Sequence, residues 1–202
     1  MSKISLEPNA SGAGTFTLAA PNSNTNRTLN LPDESGILFS DGSGVPGSAV
    51  TGQLASSNMP AGSVIQVVSE TLIGAVSTSS GSFVDTGLSA SITPTSPSSK
   101  ILVTLFHTGL RIIPNEARLQ IELNENNVKV TSLEKNAGFR NGDGNMAGTG
   151  ITVLRSLGST SQVTYKTVFR NNGSSGNVII NDVGNANDND GTSSITLMEI
   201  AG

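Results

Sequence analysis

The sequence contains no cysteine and no tryptophan, and its 202 residues include a single histidine. Without cysteine neither disulfides nor thiolate metal sites can form, so burial of apolar surface has to stabilise the fold. Charged residues make up 13% of the chain, about half of the roughly 25% found in ordinary soluble domains. Aromatic residues make up 3%, whereas glycine occurs 23 times. This composition is typical of a turn-rich β protein and not of a helical enzyme.

Basic clusters and long apolar runs are also missing. Lys and Arg residues lie mostly between Lys100 and Arg170 but are scattered, and the formal net charge is -4, which excludes the basic stripe that nucleic-acid binding needs. The longest apolar run, near Ile101–Phe106, is far shorter than the ~18 residues that span a bilayer. The start, MSKISLEPNA, lacks the apolar stretch of a signal peptide. We therefore expect a soluble protein, made in a cytoplasm, that neither binds nucleic acid nor inserts into a membrane.

The first 62 residues contain too few large apolar side chains for a core of their own. Thr15–Ala19 and Thr28–Leu31 alternate like two short strands of a hairpin, and Ile37–Phe39 forms a further short strand. Such a hairpin is marginally stable alone, whereas three copies around an axis can share a core by interchain burial at roughly 25 cal/mol per Å². We expect a β-rich stalk packed between chains through six side chains: Phe16, Leu18, Leu29, Leu31, Ile37 and Phe39.

From about Ser63 onward, short β-rich segments separated by turns predict a sandwich or a barrel. The stretch ELNENNVKV indicates a hairpin, and TPTSPSS (Thr93–Ser99) forces a break because its prolines remove ladder donors. The final strand, SSITLMEI, is expected to pair in mid-sheet, since chain ends fray unless they are held. The predicted organisation is an attachment module at 1–44, an extended linker at 45–62 and an all-β head at 63–202.

Two parts of the chain resemble virion proteins. GTFTLAAPNSNTNRTLNLPDESGILFSDGSG (Gly14–Gly44) resembles a segment of tail fibres and related virion proteins of marine phages, in which a hairpin ending in Leu-Pro-Asp precedes a short apolar strand. PAGSVIQVV, FVDTGLSASITPTSPSSKILV and the closing SSITLMEI resemble the fibre-tip domains of such proteins. Those domains are similar to the trimeric jelly rolls of the C1q and tumour-necrosis-factor type.

The resemblance implies a homotrimeric phage virion protein, assembled in the host cytoplasm, with a stalk and a jelly-roll head. It implies a tail fibre that binds a host surface glycan or protein without catalysis, by avidity of three weak sites, and that contacts other virion proteins through its N-terminal module. The alternative is a purely structural capsid decoration or tail adaptor protein.

The residues offer little for catalysis or metal binding. His107 follows ILVTLF and is either a metal or proton site on a trimer axis or a hydrogen-bonded residue at a strand end; one His without Cys favours the second. Glu122, Glu125 and Asp143 could form a carboxylate pair for glycan hydrolysis, but no buried environment is readable for them. NANDNDG (Asn185–Gly191) fails as an EF-hand loop, which leaves a loose calcium site or a solvated turn. We expect that the protein is not an enzyme and that it binds neither a cofactor nor a metal ion.

Receptor binding is assigned to polar loops. NAGFRNGDGNMAG (Asn136–Gly148) is the longest polar insertion and contains an aromatic–arginine pair, a typical recognition anchor, in a Gly/Asn frame. The alternative for this segment is a loop that contacts other copies in the trimer or is merely solvated. We assume that the final strand returns to the stalk and that strand direction alternates backwards from it. The loops at the tip are then residues 124–127, 158–161 and 182–191. The loops at the stalk end are residues 136–148 and 171–176. The candidate receptor-binding residues are Asn124, Asn126, Asn127, Phe139, Arg140, Ser159, Asp182, Asn185, Asn187, Asp188 and Asp190.

Overall fold

The structure of the protein, a computed structural model, describes residues 11–14, 22, 24–26, 28, 58–113, 116–137, 144–182 and 191–202. The chain divides into two compact units, residues 1–51 and 52–202. The described residues of the first unit are all exposed. Apart from Thr28, both strands of the predicted hairpin lie outside the described residues, as do the short strand after it and the six apolar side chains. The predicted attachment module and linker therefore stay predictions.

The second unit is built of β-strands, which confirms the all-β prediction. The described residues contain no α-helix, and thus none that could cross a membrane. The strands are β1 (Val64–Ile73), β2 (Val76–Thr78), β3 (Val84–Ile92), β4 (Lys100–Ile113), β5 (Leu119–Glu125), β6 (Val128–Ala137), β7 (Gly144–Ser156), β8 (Val163–Asn171), β9 (Asn177–Ile180) and β10 (Thr192–Ile200).

These strands form two antiparallel sheets. Sheet A has the order β1-β10-β4-β9-β2, with β7 on the other edge of β4, and sheet B has the order β3-β8-β5-β6. Along one edge of β4, residues 100–106 pair with β10 and residues 111–113 pair with β9. The strands β9 and β10 therefore follow one another along β4 and form a single interrupted strand, which we call a strand line. The strands β1 and β2, which pair with β10 and β9, form a second strand line. Sheet A is thus four strand lines wide, like sheet B.

The eight lines pair as in a jelly roll, as the sequence predicts. The first line pairs with the last, β3 with β8, β4 with β7, and β5 with β6. This nested pairing is what results when a long antiparallel ribbon of eight strands rolls up into two packed sheets. The last line runs between β1 and β4, so the expectation that the C-terminal strand pairs in mid-sheet is also confirmed.

Period-2 alternation of the sequence places the core between the sheets. In β5, the alternating residues Leu119, Ile121 and Leu123 are fully buried, and ELNENNVKV forms the predicted hairpin. The turn that follows is made by Asn126 and Asn127, whose φ values of 48° and 68° are those of a two-residue hairpin turn. The apolar core consists of two clusters, one centred on Leu105 and Tyr165 and the other on Ile112 and Phe169.

Candidate functional surfaces and the buried polar layer

The predicted receptor-binding residues do not share one end of the sandwich. We call the end that contains Gly62 and Ala201 the proximal end; the two residues are joined there by a backbone hydrogen bond of 2.8 Å. The β5–β6 turn and Ser159, in the β7–β8 loop, lie at this end, because Lys100 pairs there with both Ile200 and Ser156 and Asn126 bonds Thr164. The loop at 171–176 lies at the opposite, distal end. The predicted placement of these loops is wrong.

The error has one physical cause. The sequence-based prediction took NVII (β9) and SSITLMEI (in β10) as two strands of opposite direction. In the structure both run in the same direction, antiparallel to β4. The error in this one step reverses the predicted direction of every earlier strand. Asp182 therefore lies at mid-height of sheet A, where its N–H donates to the carbonyl of Gly109 at 2.9 Å and its carboxylate pairs with Arg111 at 3.0 Å. Asn124 lies within β5. Phe139, Arg140, Asn185, Asn187, Asp188 and Asp190 lie outside the described residues.

His107 lies in the interior of β4 and not at the strand end that the sequence predicts. The strand continues to Ile113 because Gly109, with φ at 53°, accommodates an irregularity without ending the pairing with β7. The His107 side chain is fully buried between the two apolar clusters. Its Nδ1 lies 2.9 Å from Ser193 Oγ, and its Nε2 lies 3.0 Å from Thr167 Oγ1.

These contacts belong to a polar layer that crosses the core from sheet A to sheet B. The side-chain amide of Asn181 donates to the carbonyls of Leu72 and Gly74. This orientation fixes its Oδ1 as the acceptor of the Ser193 hydroxyl, at 2.5 Å. Ser193 must then accept from His107 Nδ1–H, and Thr167 must donate to Nε2. On the other side, Thr86 lies 2.6 Å from Thr167 Oγ1. The network assigns the neutral Nδ1–H tautomer and leaves no member unpaired.

Burial decides the charge of this histidine. Removal from water lowers the pKa of His107 from 6.5 to about 4, so the imidazole is neutral at physiological pH. A Ser–His contact can serve nucleophilic catalysis only where substrate reaches it, and here Ser193 and His107 are both fully buried. The polar layer is therefore a structural element that positions the two sheets.

The carboxylates considered for glycan hydrolysis are bound to protein groups. Glu125 accepts from Arg155 Nε at 2.9 Å and from the Tyr165 hydroxyl at 2.8 Å, which ties β5 and β8 of sheet B to β7 of sheet A. The Arg155 hydrogen bond, against the opposing effect of burial, lowers the pKa of Glu125. Burial and the bond to Glu125 raise the pKa of Tyr165. Glu122 accepts from Lys129. The described residues contain no group of three or more His, Cys, Asp or Glu side chains that could hold a metal ion.

A buried carboxylate held by neutral donors joins three elements at the proximal end. Glu199 is fully buried and accepts from Gln66 Nε2 at 2.6 Å and from the backbone N–H of Thr95 at 2.7 Å. Burial alone would raise the pKa of Glu199, but the hydrogen bonds from Gln66 and Thr95 outweigh it and lower the pKa. This residue joins the β3–β4 loop to β10 and β1, beside the residues where the chain enters the sandwich.

The part of the outer face of sheet A that is formed by β1, β10, β4 and β7 is apolar and nearly uncharged, a feature that sequence reasoning missed. Val67 is 55% exposed and Leu154 54% exposed. The Phe106 ring, 48% exposed, lies against two glycines of β7, where a Cβ on Gly150 would come within 2.6 Å of the ring. The outward residues form cross-strand rows: Val67–Met198–Leu102–Leu154, then Ser69–Thr196–Thr104–Thr152, then Thr71–Ser194–Phe106–Gly150. These three rows contain no charged residue. Lys100 lies in the row at the proximal end, and the Arg111–Asp182 ion pair lies on the distal half of the same face.

The outer face of sheet B is charged. Lys166 pairs with Asp85 at 3.0 Å, and Lys129 pairs with Glu122, which also accepts from Gln120 at 3.1 Å. Arg170 lies in the same layer of side chains. This face has the polarity of a solvated sheet surface, whereas the outer face of sheet A does not. One sequence signal for the uncharged surface of sheet A was the run of outward-facing residues in β10: Ser194, Thr196, Met198 and Ile200. It can be interpreted only when the register of β10 with β4, and of β4 with β7, is known.

Comparison with known proteins assigns no family. No family model matches the chain, and no curated protein matches it. The crystal structure of the infectious bursal disease virus VP2 subviral particle is similar with a TM-score of 0.30 at 13% sequence identity, and the structure of the infectious bursal disease virus Gx strain with 0.31 at 14%. Each match covers 69% of this chain, which spans 38% and 37% of those two chains.

Proposed function

We propose that this protein is a virion structural protein whose β-sandwich is the head of a homotrimer, and that it attaches the particle to a host cell surface without catalysis. The observation that carries the proposal is the contrast between the outer faces of the two sheets. Three cross-strand rows of sheet A present an apolar, hydroxyl-rich surface, whereas sheet B presents paired charges. A face of the first kind is what a soluble protein covers in an assembly.

The covering partner that fits this face is another copy of the same chain. Three identical faces that converge on an axis bring equal charges together, so only an uncharged face can be used without like-charge repulsion. The face is four strand lines wide and about nine residues long. With the usual spacing between strands and the usual rise per residue, its area is on the order of 600 Å². That is most of the roughly 800 Å² per partner in a standard stable interface.

The remaining parts of the proposal rest on the resemblance to tail-fibre proteins. The N-terminal module would pack Phe16, Leu18 and Phe39 between copies and contact other virion proteins, and assembly would take place in the host cytoplasm. The host ligand would be a surface glycan or protein. Absence of catalysis is supported by the burial of His107 and by the pairing of Glu125 with Arg155.

The trimer is tested by placing a charge on each face. Leu154→Glu adds a carboxylate to the outer face of sheet A, and Val128→Glu adds one to an apolar residue of β6 that is 70% exposed. Both positions are surface positions in one chain, so neither variant should unfold it. By light scattering we expect three times the 20.6 kDa chain mass for the wild type and for Val128→Glu, and the single chain for Leu154→Glu. A wild-type mass of 20.6 kDa at micromolar concentration would exclude the trimer.

The role in the particle is tested separately. A cryo-EM reconstruction of the virion should place the protein on the tail, and the isolated trimer should inhibit adsorption to host cells. A position on the capsid surface, together with no inhibition by a folded trimer, would replace attachment by the alternative of a decoration protein. Release of reducing sugar from host envelope would overturn the non-catalytic assignment.

A further inference from the structure

Arg170, near the end of β8, is held by neutral groups. Its Nε donates to the side-chain oxygen of Gln120 at 2.9 Å and its Nη1 to the carbonyl of Gly81 at 3.3 Å. Its guanidinium lies 4.6 Å from the ring centroid of Phe83, a cation–π contact. All three partners are neutral. Within the described part of the chain, Arg170 has no carboxylate partner and its Nη2 has no acceptor, whereas Arg155 is neutralised by Glu125.

The neutral partners fix the position of the guanidinium without neutralising its charge. The amide of Gln120 is oriented because its Nε2 donates to Glu122, whose charge is in turn taken by Lys129. Gln120 therefore presents its oxygen to Arg170. A guanidinium held in this way has little side-chain entropy to lose on binding and can donate two parallel hydrogen bonds to a planar or tetrahedral anion.

The surroundings also fit recognition. Phe83 is 36% exposed and precedes β3, and Arg170 lies near the end of β8, so both lie at the distal rim of sheet B. This rim is far from the apolar rows of sheet A and stays open if copies meet through sheet A. Arginine and aromatic residues are typical energetic anchors of binding surfaces, and the exposed ring edge offers apolar contact to the C–H groups of a sugar.

We propose that Arg170 and Phe83 form an anion-binding anchor for an acidic sugar, with the guanidinium bonding a carboxylate or phosphate of a polysaccharide and Phe83 contacting the sugar ring. That this polysaccharide belongs to a host surface rests on the proposed function. The sequence directed attention to another arginine–aromatic pair, Arg140 with Phe139, and no pattern connected Phe83 to Arg170, which are 87 positions apart in the printed numbering.

The test follows the Arg170 Nε–H signal by ¹⁵N NMR of the full chain during titration with three probes: a galacturonate trimer, a neutral galactose trimer and inorganic phosphate. We expect the acidic probes to shift this signal and the backbone signals of Gly81 and Phe83, and the neutral sugar to leave them unchanged. A stronger response to galacturonate identifies a carboxylate ligand, and a stronger response to phosphate identifies a phosphorylated one. Equal shifts with the neutral trimer, or none with any probe, would overturn the proposal.

Variants separate the anchor from net charge and from the proposed function. Arg170→Gln should weaken binding of the better acidic probe about tenfold or more, and Lys135→Gln, which removes an exposed charge from β6, should change it less than about twofold. Equal losses in both variants would overturn the anchor. If Arg170→Gln trimers inhibit adsorption as well as the wild type, the host ligand is bound elsewhere and attachment stands. If wild-type trimers bind acidic sugar without inhibiting adsorption, attachment fails and the anchor stands.

Discussion

Acidification should destabilise this protein through one residue. His107 is the only histidine of the chain, and its pKa in the fold is about 4 instead of 6.5 because it is buried. Below pH 6.5 the histidine is protonated in the unfolded chain, whereas in the folded chain it becomes protonated only near pH 4. The free energy of unfolding is therefore highest above pH 6.5 and falls as the pH falls towards 4. Linkage gives a loss of about 2 kcal/mol between pH 8 and pH 5.

This window isolates His107 from the carboxylates. The pKa values of Glu125 and Glu199 are lowered, so both contribute stability that is lost only at still lower pH. Urea unfolding followed by far-UV circular dichroism at half-unit intervals from pH 8 to pH 5 measures the loss. His107→Gln should lower stability at pH 8 and remove the slope. An equal slope in wild type and His107→Gln, or no slope in the wild type, would refute the assignment of a neutral buried imidazole.

Three further predictions concern the same core. Thr167→Val leaves His107 Nε2 without a donor in a buried layer, whereas the Thr86 hydroxyl keeps the backbone carbonyl of residue 167 and the N–H of Leu88 as partners, and should cost about 1 to 3 kcal/mol in urea unfolding; a loss below about 0.5 kcal/mol would mean that the layer relaxes. Tyr165 is the only tyrosine, so absorbance at 295 nm should show its ionisation well above its ordinary pKa near 10, and Glu125→Gln should lower that midpoint; an ordinary midpoint in the folded wild type would contradict the raised pKa. Deleting residues 197–202 removes the end of β10, which pairs on both sides with β1 and β4, and should abolish soluble expression; a well-folded truncation would mean that this strand is peripheral.

Local patterns fixed much of the architecture in advance. The composition and the alternation of short segments predicted an all-β sandwich, ELNENNVKV predicted the β5–β6 hairpin, and the apolar SSITLMEI predicted a strand in mid-sheet. Each of these depends on neighbouring residues or on the two faces of one strand. The sequence favoured a hydrogen-bonded His107, which the structure has, whereas its receptor-binding residues stay a prediction.

Tertiary pairing decided what no single strand contains. The line formed by β9 and β10 reverses the apparent direction of the earlier strands, because strand direction is defined only by pairing with β4. The three uncharged rows of sheet A exist because register aligns outward residues of four strands, among them Val67, Met198 and Leu154. Likewise Arg170 meets Phe83, and His107 meets Thr167 and Ser193, across long separations in sequence. Composition and periodicity determined that this chain folds as a β-sandwich, whereas cross-strand register determined which side chains meet, since a shift of one residue would turn each of them to the opposite face.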